Sequence, residues 1–360
     1  MQITMGQSPD GSTYSDEPSD YILVQGNADL QNGWVCPRIW TTQITKKVDA
    51  GDLIMSVRAP AGAMGKTAYN AVIGRGVAAI KGNEFIYQLL VKMDTDGFWK
   101  TLSCGSTFES LNSDNIKNAE VKIPTTAEQI KIGGFFQYLD NLITLHQRKL
   151  EKLKLVKKSM LEKMFPKNGS SVPEIRFKGF TDDWEQRKFN DIATRESAVR
   201  KSSPDCPSIE YEDVVAEAGI LNKDIRLKDS EKNGIIFDGS QVLYGKLRPY
   251  LHNWHNPDFE GVAVGDWWVL KPIHVDKSFL YRLIQTQKFD DIANQSSGSK
   301  MPRADWNLVS NSEFSIPPLI DEQVRIGTYF NDLDNLITLH QRKVEKLKIL
   351  KKSMLEKMFV

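Results

Sequence analysis

The sequence of 360 residues has only three cysteines, Cys36, Cys104 and Cys206, which lie far apart and are odd in number. This argues against a disulfide framework or a cysteine zinc site and predicts a reducing, cytoplasmic location. No apolar run approaches the ~18–20 residues that span a bilayer, and the polar N-terminus has no signal-peptide core. The net charge is +1, so bulk charge does not indicate nucleic-acid binding.

Motifs that would indicate catalysis are also missing. Asn256–Phe259 (NPDF) resembles the loop of DNA amino-methyltransferases but lacks its second proline, and no glycine-rich S-adenosylmethionine loop lies upstream. Gly65–Thr67 resembles the end of a Walker A loop, but Pro60 stands where the first glycine is needed. His252 and His255 have no carboxylate or cysteine at ligand spacing, so a surface loop is favoured over a metal site. The sequence predicts a non-catalytic chain without a metal or cofactor of its own.

The sequence does contain a long internal repeat. Residues 128–166 and 322–360 are identical at 29 of 39 positions, at an offset of 194 residues. Upstream the similarity is weaker: Ser103–Phe108 matches Ser296–Met301, and Gly51–Pro60 resembles Gly239–Pro249. The length suits two domains, and the repeat indicates a tandem duplication. The predicted globular units are residues 1–127 and 181–321, the repeated segments are 128–166 and 322–360, and the linker is 167–180.

The repeated segments are predicted to be long helices, because they are rich in Leu, Lys, Glu and Met and are free of Gly and Pro from Leu139 to Phe165. An isolated amphipathic helix usually covers its own domain. Here the helices are nearly identical while the units differ, which favours helix-on-helix pairing as a coiled coil. The two copies can pair antiparallel around a pseudo-twofold axis. The predicted seam residues are Ile143, His146, Leu150, Leu153, Met160, Ile337, His340, Val344, Leu347 and Met354.

The variable units show short β-rich runs and one predicted helix each, which is typical of an α+β fold with an antiparallel or mixed sheet. The predicted strands are Tyr21–Val24, Leu53–Val57, Val77–Ile80, Val121–Ile123, Ile235–Phe237, Val242–Tyr244, Trp267–Leu270 and Glu313–Ile316. The predicted helices are Phe85–Met93 and Ser278–Phe289.

The two copies differ in how they begin. The second unit is preceded by FKGFTDDWEQRKF (Phe177–Phe189), called here the leading segment, and the first unit has no equivalent. We expect either that the N-terminus is truncated or that the one leading segment serves both units.

Local basic patches are the expected DNA contacts. The helix segments Asn141–Phe165 and Asn335–Phe359 each carry +5, so the rest of the chain, from a total of +1, carries −9. If DNA binds the units, it has to do so through clustered side chains. The alternative for any single lysine or arginine is a solvated surface charge. Arginine bridges guanine O6 and N7, whereas serine and threonine mainly hold phosphates. Two matches between the units are predicted, Arg58 with Arg248 and the Ser106 loop with the Ser299 loop. The candidate residues, many of them beside turn glycines, are Arg58, Lys66, Arg75, Ser106, Thr107, Tyr244, Lys246, Arg248, Trp254, Ser299, Lys300 and Arg303.

Together these features resemble the specificity subunits of type I restriction-modification enzymes, over essentially the whole chain. The motifs that carry the resemblance are IPTTAEQI and IPPLIDEQVRI before the helices, LDNLITLHQRK within them, KKSMLEKMFP at their end, and the leading segment. The resemblance implies two target recognition domains, each reading one half of an asymmetric bipartite site in double-stranded DNA. It also implies that the coiled coil is antiparallel, spaces these domains and docks two copies of a modification subunit.

In that family the modification subunits carry S-adenosylmethionine and methylate adenine N6, and separate restriction subunits use ATP and Mg²⁺. None of these cofactors is expected on this chain. The predicted helix length is consistent with a spacer role. A helix of about 27 residues is roughly 40 Å long, which is close to one DNA turn of ~34–36 Å, so it would place the two domains about one turn apart on the same face of the DNA. The alternatives are a coiled-coil interaction scaffold without sequence-specific DNA binding, and a catalytic DNA enzyme, against which the missing cofactor loop counts.

Overall fold

The computed structural model describes residues 2–103, 110–167, 169–228, 231–295 and 301–359. The chain divides into two compact units, which do not coincide with the two halves of the sequence. Unit 1 comprises Met1–Arg148 and Gln341–Val360, and unit 2 comprises Lys149–His340. None of the helices in the described part of the chain is long and apolar enough to span a membrane.

Unit 1 is built on two sheets. Its elements are β1 (Ile3–Met5), β2 (Tyr14–Ser15), β3 (Tyr21–Val24), β4 (Leu30–Gln31), β5 (Trp34–Val35), β6 (Trp40–Thr41), β7 (Lys47–Val48), β8 (Leu53–Ser56), β9 (Met64–Lys66), β10 (Ala71–Ile73), β11 (Val77–Ile80), α1 (Glu84–Thr95), α2 (Phe98–Leu102), α3 (Ser113–Lys117) and the first part of α4 (Thr126–Lys163). The sheet orders are β1-β11-β8-β9-β5-β4 and β2-β6-β3-β10-β7. The β3–β10 and β5–β9 pairs are parallel and the others antiparallel, so both sheets are mixed.

Unit 2 repeats this plan with smaller sheets. Its elements are β12 (Glu185–Lys188), α5 (Phe189–Ile192), β13 (Ala193–Glu196), β14 (Val199–Lys201), β15 (Ser208–Ile209), β16 (Val214–Val215), β17 (Ile220–Leu221), β18 (Asn233–Phe237), β19 (Val242–Gly245), β20 (Trp254–His255), β21 (Gly261–Ala263), β22 (Trp267–Pro272), α6 (Lys277–Leu283), α7 (Gln287–Ala293), α8 (Trp306–Asn311), β23 (Glu313–Ile316) and the first part of α9 (Ile320–Met358). The four-stranded sheets are β13-β22-β19-β20 and β14-β18-β21-β15, and β12-β23 and β16-β17 form two-stranded sheets.

The prediction of an α+β fold with two long helices is confirmed, and two of its elements are corrected. Val121–Ile123 is not a strand, because no segment of the described chain pairs with it. The helix predicted over Ser278–Phe289 is two helices, α6 and α7. The break falls at Thr286, whose hydroxyl accepts a hydrogen bond from the Phe289 N–H and so caps α7.

In unit 1 the two long helices pack against each other and against α1. Near the start of α4, Phe136 is fully buried in a core cluster that contains Phe85. The end of α9 enters the same cluster, with the Phe359 ring stacked on Phe85 at 4.9 Å between centroids. The Lys351 ammonium lies 2.7 Å from the Asp140 carboxylate. The start of α4 thus meets the end of α9, so the helices run antiparallel in unit 1.

Unit 2 contains the same arrangement with the helices exchanged, at the sequence offset of 194. Phe330, near the start of α9, is fully buried in the unit 2 core. Phe165, after the end of α4, stacks on Phe279 at 5.5 Å between centroids. The Lys157 ammonium lies 2.6 Å from the Asp334 carboxylate. Each globular unit is therefore stabilised by the beginning of its own helix and by the end of the other.

The predicted seam residues all lie on α4 and α9, and their side chains are buried or half-buried. The buried members are Ile143, Leu150, Ile337, His340 and Val344. The half-buried members are His146, Leu153, Met160, Leu347 and Met354.

Candidate nucleic-acid interface

Three of the predicted DNA-binding cations lie together in unit 2: Lys246 and Arg248 on the loop after β19, and Arg303 on the segment before α8. The Arg248 N–H donates to the Pro302 carbonyl oxygen at 2.7 Å, and Leu247 forms a β-bridge with Arg303. The Ala304 N–H donates to the Lys246 carbonyl oxygen at 2.8 Å. These backbone bonds fix residues 246–248 beside residues 302–304, and we call this strip the basic edge of unit 2.

An acidic side chain orients two of these cations. The Asp266 carboxylate accepts two hydrogen bonds from the Arg303 guanidinium, at 3.2 and 3.1 Å, and lies 3.5 Å from the Lys246 ammonium. The hydrogen bond from Arg303 holds the pKa of Asp266 below its ordinary value. Asp266 therefore stays ionised and neutralises one charge, so three cations and one carboxylate leave a net +2 on the edge.

Arg248 is the cation most available to a ligand. Its side chain is exposed and has no ion-pair partner in the described part of the chain. Its backbone is in the left-handed region, with φ +49° and ψ +66°, as is that of His252, with φ +53°. This conformation is energetically unfavourable for residues other than glycine. Residues held in it are common in functional loops. The 3₁₀ turn between them exposes 53% of Tyr250, so a guanidinium and an aromatic ring project from one short loop.

Unit 1 uses the same backbone plan with other side chains. Arg58, after β8, forms a β-bridge with Ser110, and the neighbouring Val57 N–H donates to the Gly76 carbonyl oxygen at 2.9 Å. This brings the exposed Arg58 next to the turn that carries the exposed Arg75. Arg58 and Arg75 form the basic edge of unit 1, with a net charge of +2.

The equivalent hydrogen bond in unit 2 runs from the Lys246 N–H to the Asp266 carbonyl oxygen, at 2.9 Å. Asp266 therefore occupies the place of Gly76. By the same pairing, Arg58 corresponds to Leu247 and not to Arg248, which corrects the predicted match by one residue.

Three predicted DNA-binding residues are buried, which removes them from the interface. The Lys66 ammonium is 2.9 Å from Glu84 and lies over the rings of Trp34 and Tyr87, so it is already paired inside the fold. Tyr244 is only 2% exposed, because both faces of β19 are covered by hydrophobic clusters, and burial raises its pKa. Trp254 is also buried, with its ring stacked on His252 at 5.3 Å.

Four predicted residues, Ser106, Thr107, Ser299 and Lys300, lie outside the described residues. No group of His, Cys, Asp or Glu within the described ranges has the arrangement of a metal site.

Comparison with known proteins shows the family of this chain. The family model described as "Type I restriction modification DNA specificity domain" matches twice, over residues 2–155 and 181–348. These two matches together cover most of the chain. The chain belongs to the family of type I restriction-modification specificity subunits.

Curated relatives are themselves specificity subunits. The MjaX specificity subunit of Methanocaldococcus jannaschii, described as putative, is 29% identical over 169 residues, which are 45% of this chain and 39% of that relative. The MjaIX specificity subunit of the same organism is 23% identical over 337 residues, 86% of this chain and 76% of the relative. The chain thus matches well under half of the first relative's length.

Solved structures share the fold. The type I restriction-modification S subunit from M. genitalium aligns with a TM-score of 0.67 at 13% identity, covering 100% of this chain and 93% of that one. A chain from a structure on complex assembly and conformational transition of the type I R-M system aligns with a TM-score of 0.51 at 14% identity, covering 99% and 94%.

In this specificity subunit Tyr250 is exposed, whereas the aromatic residues predicted from the sequence, Tyr244 and Trp254, are buried. Basic and aromatic residues are interleaved between Tyr244 and Trp254, so their order in the sequence does not distinguish buried residues from exposed ones. The available signal was local: Tyr244 lies within an apolar run, whereas Tyr250 follows Pro249, which often begins a helical turn.

Proposed function

We propose that this chain is the non-catalytic specificity subunit of a type I restriction-modification enzyme, in which each unit reads one half of an asymmetric bipartite DNA site. The observation that carries this is the pair of basic edges. Both units place exposed arginines on a loop after a buried strand, held by equivalent backbone hydrogen bonds. Arginine is the commonest reader of guanine in the major groove.

The proposed site is asymmetric because the two edges differ chemically on one scaffold. Unit 1 presents Arg58 and Arg75. Unit 2 presents Arg248 and Tyr250, with Lys246 and Arg303 held by a carboxylate. Two identical readers would favour a palindrome, whereas these two favour unlike half-sites.

The long helices are the proposed spacer and docking site for two modification subunits, which would carry S-adenosylmethionine. Helix α4 has 38 residues and is about 57 Å long. Exposed aliphatic residues recur on both helices at the 194-residue offset: Leu145 matches Leu339, and Leu155 matches Ile349. Because the exposed apolar residues lie at equivalent positions of α4 and α9, each helix could bind one copy of the same partner. Restriction subunits that use ATP and Mg²⁺ would join the same assembly.

We expect Arg248→Ala to relax specificity in one half-site only. Losing a bidentate arginine–guanine contact costs about 1–3 kcal/mol of discrimination. Single-molecule sequencing of methylated DNA from cells that express the variant with its modification subunit would show degeneracy at one or two positions. Arg58→Ala is the matched control and should relax the other half. Degeneracy in the same half for both variants would contradict the assignment of one unit to each half.

We expect a matched insertion of one heptad in the middle of both α4 and α9 to lengthen the non-specific spacer of the target. Seven residues add about 10.5 Å of helix and preserve the seam pattern. Since base pairs are about 3.4 Å apart along the axis, the methylated motif should keep both halves and gain about three base pairs between them. An unchanged spacer would exclude the helices as the ruler. DNA binding that ignores sequence would favour the scaffold alternative.

A further inference from the structure

The loop between β19 and β20, residues 246–253, carries the exposed arginine and tyrosine of unit 2, and we call it the reading loop. Its only histidine, His252, joins it to two other elements of the unit. The His252 Nε2 lies 3.0 Å from the Asp290 carboxylate on α7. The Nδ1 lies 3.6 Å from the Glu217 carboxylate, on the turn between β16 and β17. Both nitrogens of one imidazole ring therefore face carboxylates from different parts of unit 2.

The backbone of His252 is fastened at the same place. Its N–H donates to the Pro249 carbonyl oxygen at 2.9 Å, and its carbonyl oxygen accepts from the Glu217 N–H at 2.9 Å. Its ring stacks on the Trp254 ring, with 5.3 Å between centroids. These contacts hold His252 at φ +53°, a conformation that is unfavourable for residues other than glycine and persists where the surroundings enforce it. His252 is therefore a fixed point of the reading loop.

Asp290 is itself held in position for its contact with the ring. The Asn294 side-chain amide donates to the Asp290 carboxylate at 2.7 Å. Glu217 is exposed, and its 3.6 Å separation is longer than a hydrogen bond. Among the described residues, these two carboxylates are the charged groups that contact the His252 ring. Asp290 is therefore the main anchor of the ring, and Glu217 is the weaker one.

The charge of the ring decides how many of these contacts it can make. A neutral imidazole has one N–H donor, whereas an imidazolium has two. Only the charged ring can donate towards both Asp290 and Glu217. It also neutralises part of the negative charge beside a loop that is proposed to meet DNA phosphates. Since histidine changes its charge between about pH 5 and 8, the loop should be held more firmly at the acidic end of this range.

Unit 1 holds its matching connection, residues 57–63 between β8 and β9, without a histidine. Ala61 is buried in the same core cluster as Trp99. Gly62 has φ +106° and approaches Trp99 so closely that a Cβ added there would lie 2.9 Å from the Trp99 side chain. Close packing thus fixes this connection, and unit 1 provides an internal comparison for the histidine of unit 2.

We propose that His252 is the positioning residue of the reading loop. In its charged form, the imidazole clamps the loop to Asp290 and Glu217. The clamp fixes Arg248 and Tyr250 in the orientation in which they read bases. This inference rests on the proposed function, since it names the group that positions the reader of one half-site. Sequence discrimination by unit 2 therefore falls as the pH rises and the ring loses its proton, whereas discrimination by unit 1 stays constant.

Amide exchange of the full chain tests the clamp without DNA. His252→Asn keeps a residue type that tolerates the left-handed backbone, but its side chain is too short to reach Asp290. It should lower the protection of residues 250–253 about threefold or more at about pH 6, the usual worth of one charge-assisted hydrogen bond. The difference from the wild type should narrow towards about pH 8, where the wild-type ring is neutral.

Two other variants serve as partner and control in the same measurement. Asp290→Asn should lower the protection of the loop in the same way, and adding it to His252→Asn should change little more, because the two residues form one contact. His274→Asn is the matched control. His274 is another exposed histidine of unit 2 with a left-handed backbone, at φ +51°, and its replacement should leave the protection of residues 250–253 unchanged.

DNA binding by the chain with its modification subunit tests the consequence for reading. The probes are a duplex with the motif that the wild-type complex methylates and two duplexes with one base pair changed, one in each half. The ratio of affinities for matched and changed duplexes cancels the general attraction of a cation to DNA. In the half that Arg248→Ala relaxes, this ratio should fall about threefold or more between about pH 6 and 8. With His252→Asn it should be low at both pH values.

The outcomes separate this inference from the proposed function. Unchanged loop protection in His252→Asn would overturn the clamp, and so would a wild-type ratio that ignores pH in the unit 2 half. A ratio that falls equally in both halves would also overturn it, because the connection in unit 1 has no histidine. DNA binding that ignores sequence in both halves would instead refute the proposed function, and the role of the reading loop with it.

Discussion

Replacing Phe165 by alanine is expected to destabilise unit 2, although the helix that leads to Phe165 begins in unit 1. The Phe165 ring is 6% exposed, stacks on Phe279 at 5.5 Å, and meets Trp184 edge-on at 5.9 Å. Truncating a buried phenylalanine to alanine usually costs about 3–5 kcal/mol through lost burial and the cavity left behind. We expect a loss in this range, confined to unit 2.

Phe359→Ala is the matched variant at the end of α9 and should act on unit 1. Phe359 stacks on Phe85 at 4.9 Å, but its ring is only half-buried. A smaller loss, about 2 kcal/mol, is expected because less apolar area is returned to water.

Hydrogen exchange with mass spectrometry distinguishes the units, since it reports local opening. Protection of β19 in unit 2 should fall for Phe165→Ala, and protection of β8 in unit 1 should fall for Phe359→Ala. If Phe165→Ala reduced the protection of β8 and left that of β19 unchanged, the end of α4 would not be what stabilises unit 2, and the proposed packing would be wrong.

The repeat made this architecture predictable to a large extent. Near-identity over residues 128–166 and 322–360 indicated paired helices. The strands Tyr21–Val24, Val77–Ile80 and Glu313–Ile316 were located to the residue, and most other predicted strands were located to within one or two residues. Phe165 itself was not assigned to the seam, because the heptad pattern ends before it. Its partner Phe279 lies in a different globular unit of the sequence, and a periodicity argument carries no information on such a contact.

The candidate interface was predicted less well, for a physical reason. Lys66, Arg58 and Arg75 look alike in sequence, as basic residues beside turns. Lys66 is internal because Glu84, 18 residues later, supplies its counter-charge, and Trp34 and Tyr87 enclose it. Whether a lysine is paired depends on such distant partners, whereas a strand of apolar residues needs only its own pattern.

One buried ion network distinguishes the two copies at the place where their helices pair. In unit 2, the Asp334 carboxylate accepts from Arg282 at 2.8 Å and from Lys157 at 2.6 Å. Arg282 is only 1% exposed. In unit 1, the equivalent Asp140 accepts from the neutral Gln88 side chain at 2.8 Å and from Lys351 at 2.7 Å. Asp334 therefore balances two cations, and Asp140 balances one.

We expect Asp334→Asn to destabilise unit 2 by about 3–5 kcal/mol, the usual cost of breaking a buried pair and leaving its partner charged. Asparagine has nearly the same shape, so the change isolates the charge. Asp140→Asn is the matched control in unit 1 and should cost clearly less, about 1–2 kcal/mol, because Gln88 carries no charge. Chemical denaturation of both variants, with exchange on β8 and β19 to assign the units, measures the difference. Equal losses would show that the charge of Arg282 is not what Asp334 balances.

The deficit of Asp334→Asn should also shrink as the pH is raised from 7 towards 10. Burial lowers the pKa of Lys157, and the Asp334 carboxylate opposes that lowering. Without the carboxylate, the folded protein should release the Lys157 proton at a lower pH than the unfolded chain, whose lysines titrate near ~10.4. Between these two pKa values the unfolded state binds more protons, so the free energy of unfolding rises with pH. A deficit that stays constant over this range would mean that Lys157 keeps its proton in the variant, and that Arg282 alone accounts for the loss.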